Sequence, residues 1–468
     1  MARTAQAVGL WVARAVRAAG GREEGRVESQ IGYERLFDPE DIFFSTTDTK
    51  GVIQNTNRTF DVLSRYSRDR LIGAAHNIIR HLDMPAGLFR LMWDDLQAGR
   101  PVCAYVTNRA LDGLDYRVFA TVVPLSNGYL SVRIKPMDAA TQKPVEKAYR
   151  RVRAFERDLA AHAASRHQIG EHGAAELAKE LEALGFDSLY EMTQVALPRE
   201  VASLVGAGVR VPAVASGTRG PVTRILGAVA AIERETNVLV YELDEYMRLI
   251  VAMEAARGAI VAAQSRAVRI SRLVSRDVGA GDRARFLAGQ IGELIEGADA
   301  ELDRLPDRLH VMNDAVTELR FAVALMRLLT LMVGRFARSI LDGSEEDPLQ
   351  SLRDLHEALE SGFAGLAPAL RVVGAQAGEL DDALRTVTSG LDRAARRLGH
   401  WVDVRGGNGV FGSTAVVTEV SSLASQGFPE VRPLAQLAAE CRGLSLDYNA
   451  AEADRCLAEV REALAELS

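Results

Sequence analysis

A basic surplus, paired cysteines and long apolar runs are all missing from this chain, and each absence removes a class of function. Its 56 Lys and Arg stand against 63 Asp and Glu, for a formal charge of −7 and a pI of about 5.8. Gripping a phosphate backbone takes a basic face, so nucleic acid is excluded as the expected partner. The cysteines, Cys103, Cys441 and Cys456, are odd in number and share no CxxC spacing. They exclude a disulfide framework and fit a reducing compartment. No apolar run approaches the ~18–20 residues that span a bilayer. The nearest, Phe321 to Met332, is broken by Arg327 and followed by Arg335 and Arg338. Aromatics are only 6%, while Ala, Leu, Arg and Glu are abundant, a bias toward helix.

What remains is an ordinary globular composition, 48% hydrophobic and 25% charged, spread over 468 residues. That length implies two or three folding units. Residues 1–30 open with an Arg-rich, acid-free stretch (Arg3, Arg14, Arg17, Arg22). Its apolar part, Val8–Ala13, is too short for a signal core. We read 1–30 as a helical cap on the next domain and expect a cytoplasmic protein with no membrane span.

Between residues 31 and 140 the pattern changes every few residues. Ile42–Thr47 reads as a strand, Ala86–Gln97 as a helix, and Tyr116–Val122 and Ser131–Ile134 alternate with period two. Asp112-Gly113 reads as a hairpin turn. The expected fold is α+β: two strands, short helices, then three strands in an antiparallel sheet. Residues 141–197 read as a connector of two charged helices joined near Gly170-Glu171-His172-Gly173. Residues 198–221, rich in Gly, Val, Ala and Pro, read as a linker.

Residues 222–403 read as a mainly α-helical, coiled-coil-like region. One 3-4 apolar stripe runs from Val222 through Ile232, Leu239 and Tyr246 to Met253, and Arg257 ends it. A second runs from Leu352 through Leu366, Leu380 and Leu391 to Trp401, with Pro368 expected to kink it. Such stripes seek a partner, either in a homo-oligomer or in an antiparallel bundle within one chain. Leu319–Ile340 is apolar on more than one face, as a helix in the middle of a bundle is. Residues 404–468 read as a Gly-rich break, Arg405 to Gly412, and one last helix over Pro433–Leu467.

The most specific motif is His76-Asn77-Ile78-Ile79-Arg80-His81-Leu82-Asp83-Met84-Pro85, with Met92-Trp93 after it. Ser45-Thr46-Thr47-Asp48-Thr49-Lys50-Gly51 and Asn57-Arg58-Thr59-Phe60 stand before it, and Asn108-Arg109 follows in register. Across residues 38–137 this closely resembles the PAS domain of bacterial aerotaxis receptors. The resemblance implies an FAD-binding redox or oxygen sensor that relays its state to a signalling partner, not an enzyme. Carried over residue by residue, the implied flavin contacts are Asn57, Arg80, His81, Asp83, Trp93 and Asn108. Their chemistry suits the role. Arginine and imidazole bond carbonyls or pyrophosphate, indole offers a stacking face, and a carboxamide reads an amide edge. The chain departs from the pattern at Leu82 (proline in the family), Arg65 (glycine), Val102 (tryptophan) and Arg117 (tryptophan).

The remaining motifs are weak. His162, His167 and His172 recur at five-residue steps, which no helix stacks on one face, so no metal site is expected. Gly406-Gly407-Asn408-Gly409 lacks the Lys-Ser/Thr of a phosphate loop. The helical region is similar to chemoreceptors in domain order and length. Their kinase-contacting tip has only distant echoes here, at Glu235–Leu239 and Glu254–Gly258. The leading expectation is therefore a flavin-binding PAS sensor with helical output. The rivals are a ligand-free PAS association scaffold and an enzyme hidden in residues 198–430.

Overall fold

The computed structural model describes residues 34–214, 217–276, 281–407, 414–444, 446 and 448–467. The cap expected over 1–30 lies outside them, as do residues 408–413 of the Gly-rich break. Strands β1 (Phe43–Asp48) and β2 (Ile53–Thr56) come first, then helices α1 (Arg58–Ser64) and α2 (Arg68–Leu71). A 3-10 turn (His76–Ile79) leads to α3 (Ala86–Gln97), and β3 (Val102–Arg109), β4 (Asp115–Leu125) and β5 (Gly128–Ile134) complete the unit. The sheet is antiparallel throughout, in the order β2-β1-β5-β4-β3. Helix α3 keeps the bounds its sequence pattern indicates. Asp112-Gly113 turns β3 into β4, with Gly113 at φ +89° and Ala110 N–H bonding the Leu114 carbonyl at 2.9 Å.

Ten helices follow among the described residues: α4 (Ala139–Ala161), α5 (Arg166–Glu182), α6 (Leu189–Gly206), α7 (Pro221–Ala255), α8 (Arg257–Ser275), α9 (Asp282–Leu341), α10 (Leu349–Gly407), α11 (Thr414–Gln426), α12 (Val431–Gly443) and α13 (Ala450–Glu466). Helices α9 and α10, of 60 and 59 residues, fold back on each other as a hairpin. Each is about 90 Å long at 1.5 Å per residue. The α9 segment Leu319–Ala337 is buried almost all round, as its two-faced apolar pattern requires.

Several expected boundaries are corrected. The connector breaks at His162–Ser165, where Ser165 and Gln168 form a capping box, and not at Gly170–Gly173. Gly173 lies inside α5, where the missing Cβ admits a neighbouring side chain. The linker expected over 198–221 begins later, because α6 runs through Pro198 to Gly206. Burial of Leu189, Met192, Leu197, Val201 and Leu204 outweighs the ~3 kcal/mol cost of an internal proline. Pro368 is likewise inside the continuous α10. The single helix expected over Pro433–Leu467 is two, α12 and α13, with α11 before them; Asn449 caps α13, and Pro433 sits in the first turn of α12, where its missing N–H goes unneeded.

Both stripes are spent within the chain. Ile225, Ile232, Leu239, Tyr246 and Met253 of α7 are buried against α9 and α13. Leu359, Leu366, Leu380, Leu391 and Trp401 of α10 are buried against α9 and α12. The stripes therefore give no reason for a homodimer. No helix among the described residues is long and apolar enough to cross a membrane.

The α+β unit is packed between these helices. One sheet face meets α9 and α10, where the Phe44 and Phe336 rings stand edge to face at 5.1 Å. Edge strand β3 is covered by α6, and Cys103 N–H donates to Thr193 Oγ1 at 2.8 Å. The other face carries α1–α3 and encloses a cavity.

Candidate functional site

Strand alternation builds the cavity floor. Val106 and Asn108 of β3, Ala120 and Val122 of β4, and Ser131 and Arg133 of β5 all face inward. Phe89, Met92, Trp93 and Leu96 of α3 form the wall, His76, Asn77 and Arg80 the lid, and Lys50, Gly51 and Tyr129 the rim. The volume is about 240 Å3. Trp93 stands edge to face on Tyr129 at 5.3 Å. Gly51, at φ +78°, lets the β1–β2 turn pass the indole, since a Cβ there would sit 3.1 Å from the ring.

The electrostatics are one-sided: among the described residues no Asp or Glu lines the cavity, while Lys50, Arg80 and Arg133 do. Arg80 lies over the Phe89 ring at 3.5 Å without a carboxylate partner. Arg133 is 3% exposed, donates to Ser45 Oγ and the Ser131 carbonyl, and is flanked by the Phe43 and Phe60 rings. Burial holds both guanidinium groups down to about 10, which still leaves them charged. His76 is held well below the usual imidazole range by burial, then by Arg133 and Arg80. Its Nε2 accepts from Arg133, which leaves the ring proton on Nδ1. Asn108 Nδ2 and Ser131 Oγ are buried with no partner. Each such orphan costs about 1–3 kcal/mol until something bonds it.

Of the six residues carried over, Arg80, Trp93 and Asn108 line this cavity and three do not. Asn57 is a structural cap: its Oδ1 accepts from Phe44 N–H at 3.1 Å and Phe60 N–H at 3.4 Å, tying β1 to α1. His81 turns outward, its Nδ1 accepting from Asp83 N–H at 3.0 Å and its Nε2 meeting Arg109. Asp83 is exposed and pairs with Arg157 of α4. Both stabilise the turn into α3. Sequence reasoning did not single out His76, Ser131 and Arg133, although His76 stood in the motif and Ser131 and Arg133 share one parity of a recognised strand. The departures at Val102 and Arg117 do not touch the cavity, and Arg117 pairs instead with Glu34 at 3.4 Å.

A second hollow, of about 460 Å3, lies in the bundle beside Tyr246, Asp381, Cys441 and Arg442. Burial pushes the Cys441 thiol up to about 12, so it stays protonated and is no nucleophile. Among the described residues no group of three or more His, Cys, Asp or Glu could hold a metal ion.

A five-stranded antiparallel sheet closing with short helices round one cavity defines residues 38–137 as a PAS domain. The particular kind is the aerotaxis-receptor type. The aerotaxis receptor of Escherichia coli (strain K12) is 39% identical over 111 residues, 22% of this chain and 22% of that protein. The match thus spans about a fifth of either chain. No family model matches the chain. Among solved structures, the RsLOV d2 variant is 14% identical with a TM-score of 0.20, over 34% of this chain and 92% of that one. A fungal LOV-domain photoreceptor is 17% identical with a TM-score of 0.18, over 26% and 90%. At these scores the two structures add no support.

Proposed function

We propose that this chain is a sensory signal-transduction protein whose PAS domain holds FAD and whose helices pass the state of that site to a protein partner. The observation that carries the reading is the lining of the cavity. It combines an aromatic wall, the buried Arg133 and half-buried Arg80 guanidinium groups without carboxylates, and two orphaned hydrogen-bonding groups, Asn108 Nδ2 and Ser131 Oγ. That is the complement of a flat ring with an electronegative, hydrogen-bonding edge. The volume, below the ~300–1,000 Å3 of sites enclosing a whole ligand, suits the ring rather than the whole dinucleotide.

In this reading Trp93 and Tyr129 bound the ring edge-on. Asn108 and Ser131 bond its carbonyl and ring-nitrogen edge, and Arg80 and Arg133 offset negative charge on it. When bound, a flavin supplies a redox state that follows its surroundings. The protein's part is to exclude water, hold His76 neutral and keep its own cations near the ring. The larger hollow in the bundle does not favour the enzyme reading, since burial keeps its Cys441 thiol protonated and its Asp381 pairs with Arg442.

The test is the absorbance spectrum of the purified full chain, with FAD titrated into any unloaded fraction. A flavin spectrum, or saturable FAD binding, is expected. A folded chain that shows neither replaces this reading with the ligand-free association scaffold.

A further inference from the structure

We infer that Glu156 of the connector helix α4 is a positioning residue for the cavity, and that through it the cavity's state reaches α4 and α5. The inference rests on the flavin reading for its ligand but on separate residues for its mechanism. Glu156 is fully buried, yet it meets the sensor domain rather than its own helix bundle. Its Oε2 accepts from Ala86 N–H at 2.9 Å and its Oε1 from Gly87 N–H at 2.8 Å. These are the first two amides of α3, which no intrahelical carbonyl can satisfy. A carboxylate there also sits at the positive end of the α3 dipole.

The grip extends along the chain. Arg153, one turn before Glu156, donates to the Leu82 carbonyl at 3.1 Å and to Glu156 itself at 3.3 Å. Arg157 pairs with Asp83. Side chains from a single face of α4 thus hold Leu82 to Gly87. That segment continues directly from Arg80, the lid, and into Phe89, Met92 and Trp93, the wall.

A second contact makes the arrangement tight. A Cβ on Gly87 would lie 2.1 Å from the Gly173 carbonyl carbon, and one on Gly173 would lie 2.3 Å from Glu156 Oε1. Helices α3 and α5 therefore touch backbone to backbone, with the carboxylate wedged beside them. A ligand that draws Arg80 off Phe89, or moves the wall, must shift the first turn of α3. The carboxylate has no water to fall back on, so leaving its amides strands a buried charge. Moving α4 and α5 with α3 is the less costly response. Such coupling is reciprocal: loosening the grip must also weaken binding in the cavity.

The test uses the full chain and FAD, comparing wild type, Glu156→Gln and a control, Glu180→Gln. Glu180 links α5 to Arg151 of α4 at the exposed surface. Amide hydrogen exchange is followed over residues 86–97 and 166–182, and FAD affinity by flavin fluorescence. In wild type and control, FAD is expected to slow exchange in both segments. In Glu156→Gln, an amide faces two N–H donors; FAD is expected to bind about tenfold more weakly, and exchange over 166–182 to become independent of it. FAD-dependent protection of 166–182 that survives in Glu156→Gln overturns the inference, whatever happens to affinity. If wild type binds no FAD, the flavin reading alone fails. The grip is then judged in the ligand-free chain, where Glu156→Gln must speed exchange through the wall residues Phe89–Leu96; faster exchange confined to Ala86 and Gly87 overturns it.

Discussion

Buried polar groups in the helical bundle and in the PAS domain have different settings. In the bundle, Thr236 and Thr330 bond carbonyls one turn back, and Glu233 accepts from Val211 N–H. The core around the α9–α10 hairpin is otherwise mainly Leu, Val, Met, Ala and Phe. In the PAS domain one cavity gathers the buried Arg133 and the half-buried Arg80 without carboxylates, a neutral imidazole, and the orphaned Asn108 Nδ2 and Ser131 Oγ. The bundle also leaves buried atoms unpaired, Trp401 Nε1 and Gln290 Oε1 among them, but these are scattered along its helices. Asn108 Nδ2 and Ser131 Oγ instead open onto one cavity, at a cost in stability until something bonds them.

The largest effect should come from the bundle. Phe336→Ala removes a buried ring that packs within α9 and against Phe44, and should cost about 3–5 kcal/mol. Because the stripes are covered within one chain, the melting temperature of wild type and variant should not depend on protein concentration. Calorimetry over a wide concentration range checks this. A melting temperature that climbs with concentration would return the stripes to an interface between copies.

Next in size is the cavity lid. Arg80→Ala should weaken FAD binding by about 10–100-fold, through loss of a charge-assisted contact in a dry site. His81→Ala and Asp83→Ala should stay within about threefold of wild type, because both side chains face the turn and the connector. Fluorescence titration of the three variants tests the contrast. Equal losses at all three would restore the whole motif as a contact surface.

These contrasts also show what was legible in the sequence. The order of strands and helices was, because alternation in Tyr116–Val122 and the periodicity of Ala86–Gln97 are local. The stripes were equally legible, but a stripe states only that a face is buried and not by what. The choice between a second copy and α9 depends on the α9–α10 turn and on contacts far apart in sequence. A proline misled at the start of the expected linker, since Pro198 is overruled by tertiary burial. In the site, the motif pointed to the segment that borders the cavity, but only some of the side chains it named line it. His81 and Asp83 differ from Arg80 in the direction they face, which is set by Arg109 and Arg157 from distant elements. Gly173 was read as a chain break because nothing local discloses that Glu156 needs its space.

A subtler substitution separates binding from stability. Asn108→Leu removes the orphaned amide while keeping similar bulk. Without ligand the variant should be as stable as wild type to within about 1 kcal/mol, since no bond of that amide is lost. FAD should nevertheless bind about tenfold more weakly. Denaturant unfolding of the ligand-free chain and FAD titration measure the two halves. A large loss of stability without ligand would mean that Asn108 serves the fold, and the cavity would lose its strongest mark of a binding site.

The smallest expected effect is the dependence of stability on pH through His76. Burial beside Arg133 and Arg80 places its folded pKa well below the usual 6.5, whereas the unfolded chain titrates near the ordinary value. Between the two values the unfolded state binds a proton that the native state does not. Stability from this residue is therefore complete above pH ~6.5 and falls as the pH drops through that window, by at most about 1.4 kcal/mol per pH unit. His81 and His356 are depressed in the same direction, so wild type alone cannot assign the slope. His76→Gln keeps an acceptor for Arg133 and removes the titration. Below pH ~6.5 its stability should fall less steeply than that of wild type, while above it the two curves should run parallel. Parallel curves throughout would mean that His76 takes up its proton in the folded state, a third cation beside Arg133 and Arg80, and would contradict the neutral imidazole on which the reading of the cavity depends.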